Sequence, residues 1–258
     1  MTEALFISDL HLAPEEPAVV ALFEHFCRER ARNADALFIL GDLFEAWVGD
    51  DARDEAAGRA GAALAELSAH GVTVRLMHGN RDFLLGEQFA AACGAELLPD
   101  PVRIEHGGRV IVLSHGDGLC TADADYMALR PTLRSRAFAA DLLARPLSER
   151  EHMARGARAA SRERNANAPE AIMDVAPAAV EALLEKMDAE LLIHGHTHRP
   201  QVHRWSIGSP PRTRTRVVLG DWQTTAHYAV ARGADIALLS WPPRHTARCG
   251  SETPGPVA

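Results

Sequence analysis

Short runs of apolar residues recur along the chain, and polar residues or glycines end each of them. Their length and composition are typical of buried strands, and they cover Ala4–Ile7, Ala36–Leu40, Val72–Met77, Val110–Leu113 and Leu191–Ile193. Between the first three runs, Pro17–Arg32 and Asp54–Ala69 repeat apolar residues every three or four positions, as helices packed on one face do. This alternation predicts an α/β fold in which helices cover a sheet.

The second half of the chain changes character twice. From Thr121 to Ala168, arginines alternate with Leu, Phe and Tyr residues, which predicts an inserted helical segment. After His196, alternating stretches separated by turn residues predict strands that form a second, more antiparallel sheet; they cover Val202–Ile207, Arg216–Leu219, His227–Ala231 and Ile236–Trp241. Residues 243–258 are rich in Pro, Gly, Ser and Thr without periodicity, so we expect a disordered tail after a single domain spanning residues 1–242.

The composition of the 258-residue chain excludes several classes of protein. Its 47% of hydrophobic residues exclude a mainly disordered chain, and its four cysteines, without a C-x-x-C pair, indicate reduced thiols in the cytosol. A net charge of −8 argues against a nucleic-acid partner. The sequence has neither an apolar run of about 18 residues nor a basic region leading into an apolar one, so we predict no spanning helix and no secretory leader.

Each predicted buried strand is followed by side chains that can bind a metal ion. In chain order, the groups are Asp9 with His11, Asp42, Asn80, His115, and His196 with His198. Strand ends of an α/β sheet meet at a common crevice, so we expect these side chains to converge. Their oxygen and nitrogen atoms, without a thiolate, favour Mn²⁺, Mg²⁺, Fe²⁺ or Zn²⁺.

Seven candidate ligands exceed what one ion requires. We therefore expect two adjacent ions with a bridging carboxylate, an arrangement that activates water and holds the oxygens of a phosphoryl group during in-line attack. Hydrolysis of a phosphate ester or anhydride is the reaction that it serves. Glycines beside the ligands, at positions 41, 79, 116 and 195, would allow the tight turns that aim the side chains.

In this order, the D-x-H, G-D, G-N, H and G-H-x-H blocks resemble those of the calcineurin-like metallophosphoesterases, and the resemblance spans residues 5–225. It implies an αββα sandwich of two mixed sheets flanked by helices. It also implies a bridging role for Asp42 and two ion sites, the first with Asp9, His11 and His198 and the second with Asn80, His115 and His196.

The chain departs from many members of this family at one position. Where they carry Gly-Asn-His, whose histidine protonates the leaving group, this chain has Gly79-Asn80-Arg81. An arginine does not release a proton at neutral pH, but it binds phosphate with two donors. Because the phosphate that leaves a pyrophosphate needs no acid, we expect a hydrolase of a phosphorus-containing anhydride, with Asp42, Asn80, Arg81 and His115 as its catalytic residues.

Longer strings, at residues 41–51, 78–86 and 172–175, resemble the diphosphatases of lipid A biosynthesis, which hydrolyse UDP-2,3-diacylglucosamine to UMP and 2,3-diacylglucosamine 1-phosphate (lipid X). This resemblance implies two Mn²⁺ per chain, or Mg²⁺ or another divalent ion in their place. It implies a lipid-linked nucleotide sugar as substrate and a peripheral position on the cytoplasmic face of the inner membrane. The implied substrate contacts are Asn80, Arg81, Asp123, Ser161, Asn165 and His196, whereas a further basic residue of the subfamily is replaced here by Ala168.

The spacing of the ligand blocks supports this interpretation. Successive blocks lie 33, 38 and 35 residues apart as far as His115, but His196 follows only after 81 residues. The additional residues form the arginine-rich insertion, and a lid over an anionic diphosphate with acyl chains requires such basic and apolar side chains.

Two other functions compete with this one. A broad phosphodiesterase or nucleotide pyrophosphatase would act on soluble substrates, but it gives no reason for Leu and Phe side chains in the insertion. An inactive scaffold would keep the fold and bind partners, but the presence of all seven ligand residues counts against it.

Overall fold

The computed structural model describes residues 2–167 and 174–242, with side chains as far as Glu163 in the first range. Four parallel strands open the chain: β1 (Glu3–Ile7), β2 (Ala36–Leu40), β3 (Thr73–Met77) and β4 (Ala95–Leu98). Helices α1 (Pro17–Glu29), α2 (Glu55–Ala69) and α3 (Glu87–Ala92) connect them. The first three strands and two helices confirm the pattern in the sequence, whereas α3 and β4 were not predicted.

Local signals fix the ends of these helices. Pro17 is the first residue of α1, where its missing N–H costs no hydrogen bond. The side chain of Asp54 accepts a hydrogen bond from Ala57 N (2.8 Å) and caps α2. Helix α1 ends at Glu29, three residues before the predicted end, because a short 3₁₀ turn over Ala31–Asn33 follows it.

A second sheet contains β5 (Val102–His106), β6 (Arg109–Ser114), β7 (Leu191–His194), β8 (Gln201–Ile207) and β9 (Arg212–Val218), in the order β5-β6-β7-β9-β8. Its three central strands are parallel and its two edge strands antiparallel. The last strands, β10 (Ala226–Arg232) and β11 (Asp235–Trp241), complete the first sheet, in which β10 pairs antiparallel to β1. The expected α/β fold with two mixed sheets flanked by helices is therefore confirmed.

The expectation that the four late strands form one sheet is wrong. Strands β8 and β9 belong to the second sheet, but β10 and β11 extend the first one. Alternating apolar and polar residues identify a strand but not its partner, which depends on contacts distant in the sequence.

The apolar core lies in three layers. Alternate residues of β1 face opposite sides: Leu5 and Ile7 pack towards the helices on the first sheet, and Phe6 packs between the two sheets. Between the sheets, Phe6 stacks on Phe38 with ring centroids 5.0 Å apart. On the far side of the second sheet, helix α7 (Pro177–Lys186) buries Val180 and Leu184.

The insertion consists of three helices: α4 (Ala124–Leu133), α5 (Arg136–Leu143) and α6 (Leu147–Asn167). We call residues 121–167 the lid. Its backbone agrees with the predicted helical segment, whose last residue, Ala168, lies outside the described residues, as does the predicted tail at 243–258. Among the described helices, none has both the length and the apolar character needed to cross a bilayer.

Candidate metal centre and adjoining cavity

The seven predicted ligands lie in loops that follow five strands at one edge of the two sheets. The loops after β1, β2 and β3 carry Asp9, His11, Asp42 and Asn80, and those after β6 and β7 carry His115, His196 and His198. Backbone hydrogen bonds join the loops, among them Asp9 N to Gly41 O (3.1 Å) and Gly195 N to His115 O (2.9 Å). Residues from both sheets thus meet in one place.

One group comprises Asp9, His11 and His198, each of which offers one ligand atom within 4.8 Å of those of the other two. The Nε2 atoms of His11 and His198 are 3.3 Å apart, and His198 Nε2 is 3.4 Å from Asp9 Oδ1. The structure thus brings together the residues predicted for the first ion.

The residues predicted for the second ion are also neighbours. Asn80 Oδ1 lies 2.9 Å from both His115 Nε2 and His196 Nδ1. Asp42 Oδ2 lies 3.7 Å from His115 Nε2 on one side and 4.0 Å from His11 Nε2 on the other. Asp42 therefore stands between the two groups, as a bridging carboxylate must.

Five of the seven residues adopt a left-handed backbone conformation. The φ angles are 57° for Asp9, 51° for His11, 51° for Asp42, 69° for His196 and 54° for His198. Among the other non-glycine residues that the structure describes, Asp188 alone has a positive φ. Such conformations cost about 1–2 kcal/mol each and concentrate at functional sites.

Two predicted glycines are needed because the loops approach one another closely. A Cβ on Gly79 would lie 2.0 Å from Asp42 Oδ1, and one on Gly195 would lie 2.3 Å from Asp9 Oδ2. Any side chain at these positions would displace a candidate ligand.

Buried polar contacts fix the loops. The carboxylate of Asp82 accepts hydrogen bonds from Leu43 N (2.8 Å) and Gly79 N (2.7 Å), so one side chain joins the loops that carry Asp42 and Asn80. His196 N donates to Asp9 Oδ2 (2.9 Å), and the Arg81 backbone N–H donates to Asp42 Oδ1 (2.8 Å).

The electrostatics of the cluster suit a cation. Burial raises the pKa of Asp42, so its charge lacks compensation from the protein alone. His115 Nδ1 donates to Leu40 O (2.9 Å), so the Nε2 atom of its ring faces the carbonyl oxygen of Asn80 (2.9 Å). Burial also lowers the pKa of His196 to about 3 and keeps that ring neutral. This set of nitrogen and oxygen ligands fits divalent metal ions.

Glu45 is a site residue that was not predicted from the sequence. Its Oε2 lies 3.2 Å from His11 Nδ1, on the side of the ring opposite to His198 and Asp42. Although burial favours the neutral ring, this contact with Glu45 and the charges of Asp42 and Asp9 raise the pKa of His11 to about 9. A carboxylate behind a candidate ligand histidine orients its ring; the only sequence signal was the position three residues after Asp42.

A cavity of about 410 Å³ adjoins the cluster beneath the lid. Asn80, Arg81 and Ser161 line it with a largely apolar wall that includes Trp47, Phe83, Tyr126, Leu129, Leu133, Phe138, Leu142 and Met153. The predicted contact His196 touches Asn80. Asp123 instead accepts a hydrogen bond from Tyr126 N at the start of α4 and does not line this cavity. The side chain of Asn165 lies outside the described residues.

The chain is similar to known proteins over most of its length. The sequence model of the calcineurin-like phosphoesterases matches residues 3–200. A UDP-2,3-diacylglucosamine hydrolase of Stenotrophomonas maltophilia is 48% identical over 225 residues, 84% of this chain and 90% of that protein. A hydrolase of the same name from Xanthomonas axonopodis is 48% identical over 245 residues, 92% of this chain and 98% of that protein. A solved archaeal phosphodiesterase covers 93% of this chain and 99% of its own at 11% identity and a TM-score of 0.46.

Proposed function

The chain belongs to the calcineurin-like phosphoesterase family, and we propose that it hydrolyses the pyrophosphate bond of UDP-2,3-diacylglucosamine to UMP and 2,3-diacylglucosamine 1-phosphate. The observation that carries this proposal is the apolar cavity that begins at Asn80 and Arg81, beside the candidate metal ligands. A substrate with a diphosphate next to acyl chains matches a site in which a charged surface adjoins an apolar one.

Two divalent ions, Mn²⁺ in the first instance, complete the site. Asp9, His11 and His198 would hold one ion, Asn80, His115 and His196 the other, and Asp42 both. When bound, such ions lower the pKa of water and neutralise phosphoryl oxygens.

In this proposal, the protein's own side chains orient the substrate. Arg81, which lines the cavity beside Asn80, would present a two-donor guanidinium to the phosphate, and its backbone N–H bond to Asp42 fixes the loop from which it projects. In the reaction, a water oxygen forms a bond to phosphorus and gives up one proton to the solvent, and the bond from that phosphorus to the bridging oxygen breaks with its electron pair. The departing phosphate carries this charge without protonation, so Arg81 need only hold it.

The lid would hold the lipid. Leu129, Leu133 and Phe138 face the cavity, and Leu129 is 57% exposed without a ligand. Covering such side chains with acyl chains removes apolar surface from water on both partners.

The lid also offers a surface for a membrane. Of five large exposed apolar side chains in the described part of the chain, four are on the lid: Leu129, Leu143, Leu147 and Met153. Exposed arginines of the same helices, such as Arg136 and Arg155, would attract anionic lipid headgroups. This surface supports our proposal that the protein is peripheral on a membrane, which the resemblance implies to be the cytoplasmic face of the inner membrane. Co-sedimentation with anionic vesicles should be lost on replacing Leu143 and Leu147 with Ser but not in Leu239→Ser, on β11; equal binding of both variants would contradict this location.

The function is tested by UMP release. The metal-stripped protein, resupplied with Mn²⁺ or Mg²⁺, is given UDP-2,3-diacylglucosamine or UDP-N-acetylglucosamine. We expect kcat/KM to be at least about 100-fold higher for the diacylated substrate, since each buried methylene contributes about 0.8 kcal/mol. Equal values would favour a soluble-substrate pyrophosphatase, and no hydrolysis of either would favour a scaffold.

A further inference from the structure

Asp117 is a buried carboxylate that the proposed reaction does not use. It lies two residues after His115 and is 0% exposed. Its oxygens accept hydrogen bonds from Tyr126 Oη (2.5 Å) and Arg130 Nε (2.9 Å) of helix α4 of the lid, and from Nη2 of Arg134 (3.0 Å), the C-cap residue of that helix. A buried charge with so many donors binds the lid to the loop that follows β6.

The same two arginines, Arg130 and Arg134, also contact the segments next to the metal ligands. Arg134 Nη1 donates to His78 O (3.3 Å), two residues before Asn80. Arg130 Nη2 donates to Asp100 Oδ2 (3.2 Å), and the other oxygen of Asp100 accepts from the His115 backbone N–H (3.2 Å). Helix α4 is thus connected to both loops that present Asn80 and His115.

The charges within this network balance. Two guanidinium groups face two carboxylates, and the contacts of Arg130 and Arg134 are with the chain itself. Neither arginine lines the cavity under the lid. The network is therefore built to fix structure and not to bind a phosphate.

Resting on the metal sites proposed above, we propose that Asp117, Arg130 and Arg134 form a positioning cluster through which the lid helix α4 holds Asn80 and His115 in their metal-binding arrangement. The lid is then part of the metal centre as well as a cover for the lipid. Loss of the cluster should weaken metal binding even when no lipid is present.

The test measures Mn²⁺ affinity of the metal-stripped, full-length protein by isothermal titration calorimetry. Arg134→Met keeps most of the side-chain volume but removes both hydrogen bonds. We expect the affinity for Mn²⁺ to fall by at least about tenfold, as for other changes behind metal ligands. The direction of the change in Mn²⁺ affinity is informative, because electrostatics alone would raise the affinity when a positive charge near the ions is removed. Unchanged or tighter binding in a folded variant would overturn the proposal.

Matched lid variants separate positioning from general lid stability. Arg150 binds the lid to the core through Asp51 (Nη1 to Oδ1, 2.8 Å) and Val48 O, in the loop that also carries Asp42, but its hydrogen bonds do not reach the loops of Asn80 and His115. Arg145 forms ion pairs within the lid alone, with Asp141 and Glu149. Arg150→Met and Arg145→Ala should therefore keep the wild-type Mn²⁺ affinity. A loss in Arg150→Met equal to that in Arg134→Met would show that any loosened lid has this effect, and would overturn the proposal.

Two further variants keep the test decisive if Arg134→Met does not fold. Tyr126→Phe removes one hydrogen bond to Asp117 and should weaken Mn²⁺ binding less, and Arg134→Lys keeps the charge and should restore part of the affinity. Hydrolysis of bis(p-nitrophenyl) phosphate, which has no acyl chains, should fall in parallel with the Mn²⁺ affinity. If the wild type binds Mn²⁺ and cleaves this ester but not the lipid substrate, the proposed function fails while the positioning cluster stands.

Discussion

The left-handed backbone at Asp9, His11, Asp42, His196 and His198 restricts which residues these positions accept. Asn and Asp adopt that conformation more readily than other side chains, and β-branched residues least. An Asn replacement therefore removes the charge of a candidate ligand with little additional strain, which makes it a sharper probe than Ala.

Asp42→Asn tests the bridging carboxylate. The amide can still accept the hydrogen bond from Arg81 N, but it lacks the charge that two ions require. We expect kcat to fall by at least about 100-fold while the fold is retained.

Asp188→Asn is the matched control, because Asp188 also has a positive φ (46°) but precedes β7, at the opposite end of that strand from the site. Near-normal hydrolysis by Asp42→Asn with saturating Mn²⁺ would show that Asp42 does not bridge the ions.

Arg81→Lys tests the phosphate contact. Both backbone hydrogen bonds of residue 81, with Asp42 and with Trp47, survive this change, so the loop should keep its shape. A lysine retains the charge but not the two-donor fork, and we expect kcat/KM to fall by about 10- to 100-fold. As a control, Arg75→Lys, which alters a surface ion pair with Glu96, should leave kcat/KM unchanged. A wild-type kcat/KM in Arg81→Lys would show that the phosphate does not depend on the two donors of Arg81.

The three lid helices differ in how far their apolar side chains serve folding. Phe138 and Leu142 line the cavity, but Leu142 is buried among the core residues beside the first sheet and Phe138 packs against them. Replacing either would also destabilise the lid. Leu129 and Leu133 line the same cavity from α4 and do not belong to that core cluster, so they report on the lipid more directly.

Leu129→Ser combined with Leu133→Ser should lower kcat/KM for UDP-2,3-diacylglucosamine by about tenfold or more, since each lost methylene contact is worth about 0.8 kcal/mol. Hydrolysis of UDP-N-acetylglucosamine should change by less than about twofold. Leu239→Ser provides the control on β11. An equal effect on both substrates would mean that this face of the lid does not hold acyl chains.

At the scale of the whole molecule, the candidate metal centre joins the two sheets. Asp9, Asp42 and Asn80 follow strands of the first sheet, and His115 and His196 follow strands of the second. Ions shared between these loops would cross-link the sandwich, so their binding should be visible in its stability.

We expect Mn²⁺ to raise the Tm of the metal-stripped protein. A ligand at 100 times its Kd stabilises the folded state by about 2.7 kcal/mol. Asp42→Asn should lose most of this increment, which differential scanning fluorimetry can follow during a Mn²⁺ titration. An equal increase in Tm in the wild type and in Asp42→Asn would show that Asp42 does not bind the ion.

The sequence by itself predicted most of the strands, the helical insertion and the candidate ligands that the structure brings together. The buried runs at Ala36–Leu40 and Leu191–Ile193 needed no neighbours to be recognised, because period and composition reflect burial of the residues themselves. The ligand blocks were equally visible, since ion-binding chemistry limits the residue types at each strand end.

The tertiary structure alone decided which strands pair and which distant groups support the site. Strands β10 and β11 join the first sheet because β10 pairs with β1, a contact between residues more than two hundred positions apart. No local pattern predicts Glu45 behind His11 or Asp117 between the lid and the His115 loop. An aspartate exposed on the surface and a buried one that accepts hydrogen bonds from arginines are the same residue type in the sequence. Their roles depend on contacts between segments distant in the chain, which hydrophobic period and residue spacing do not encode.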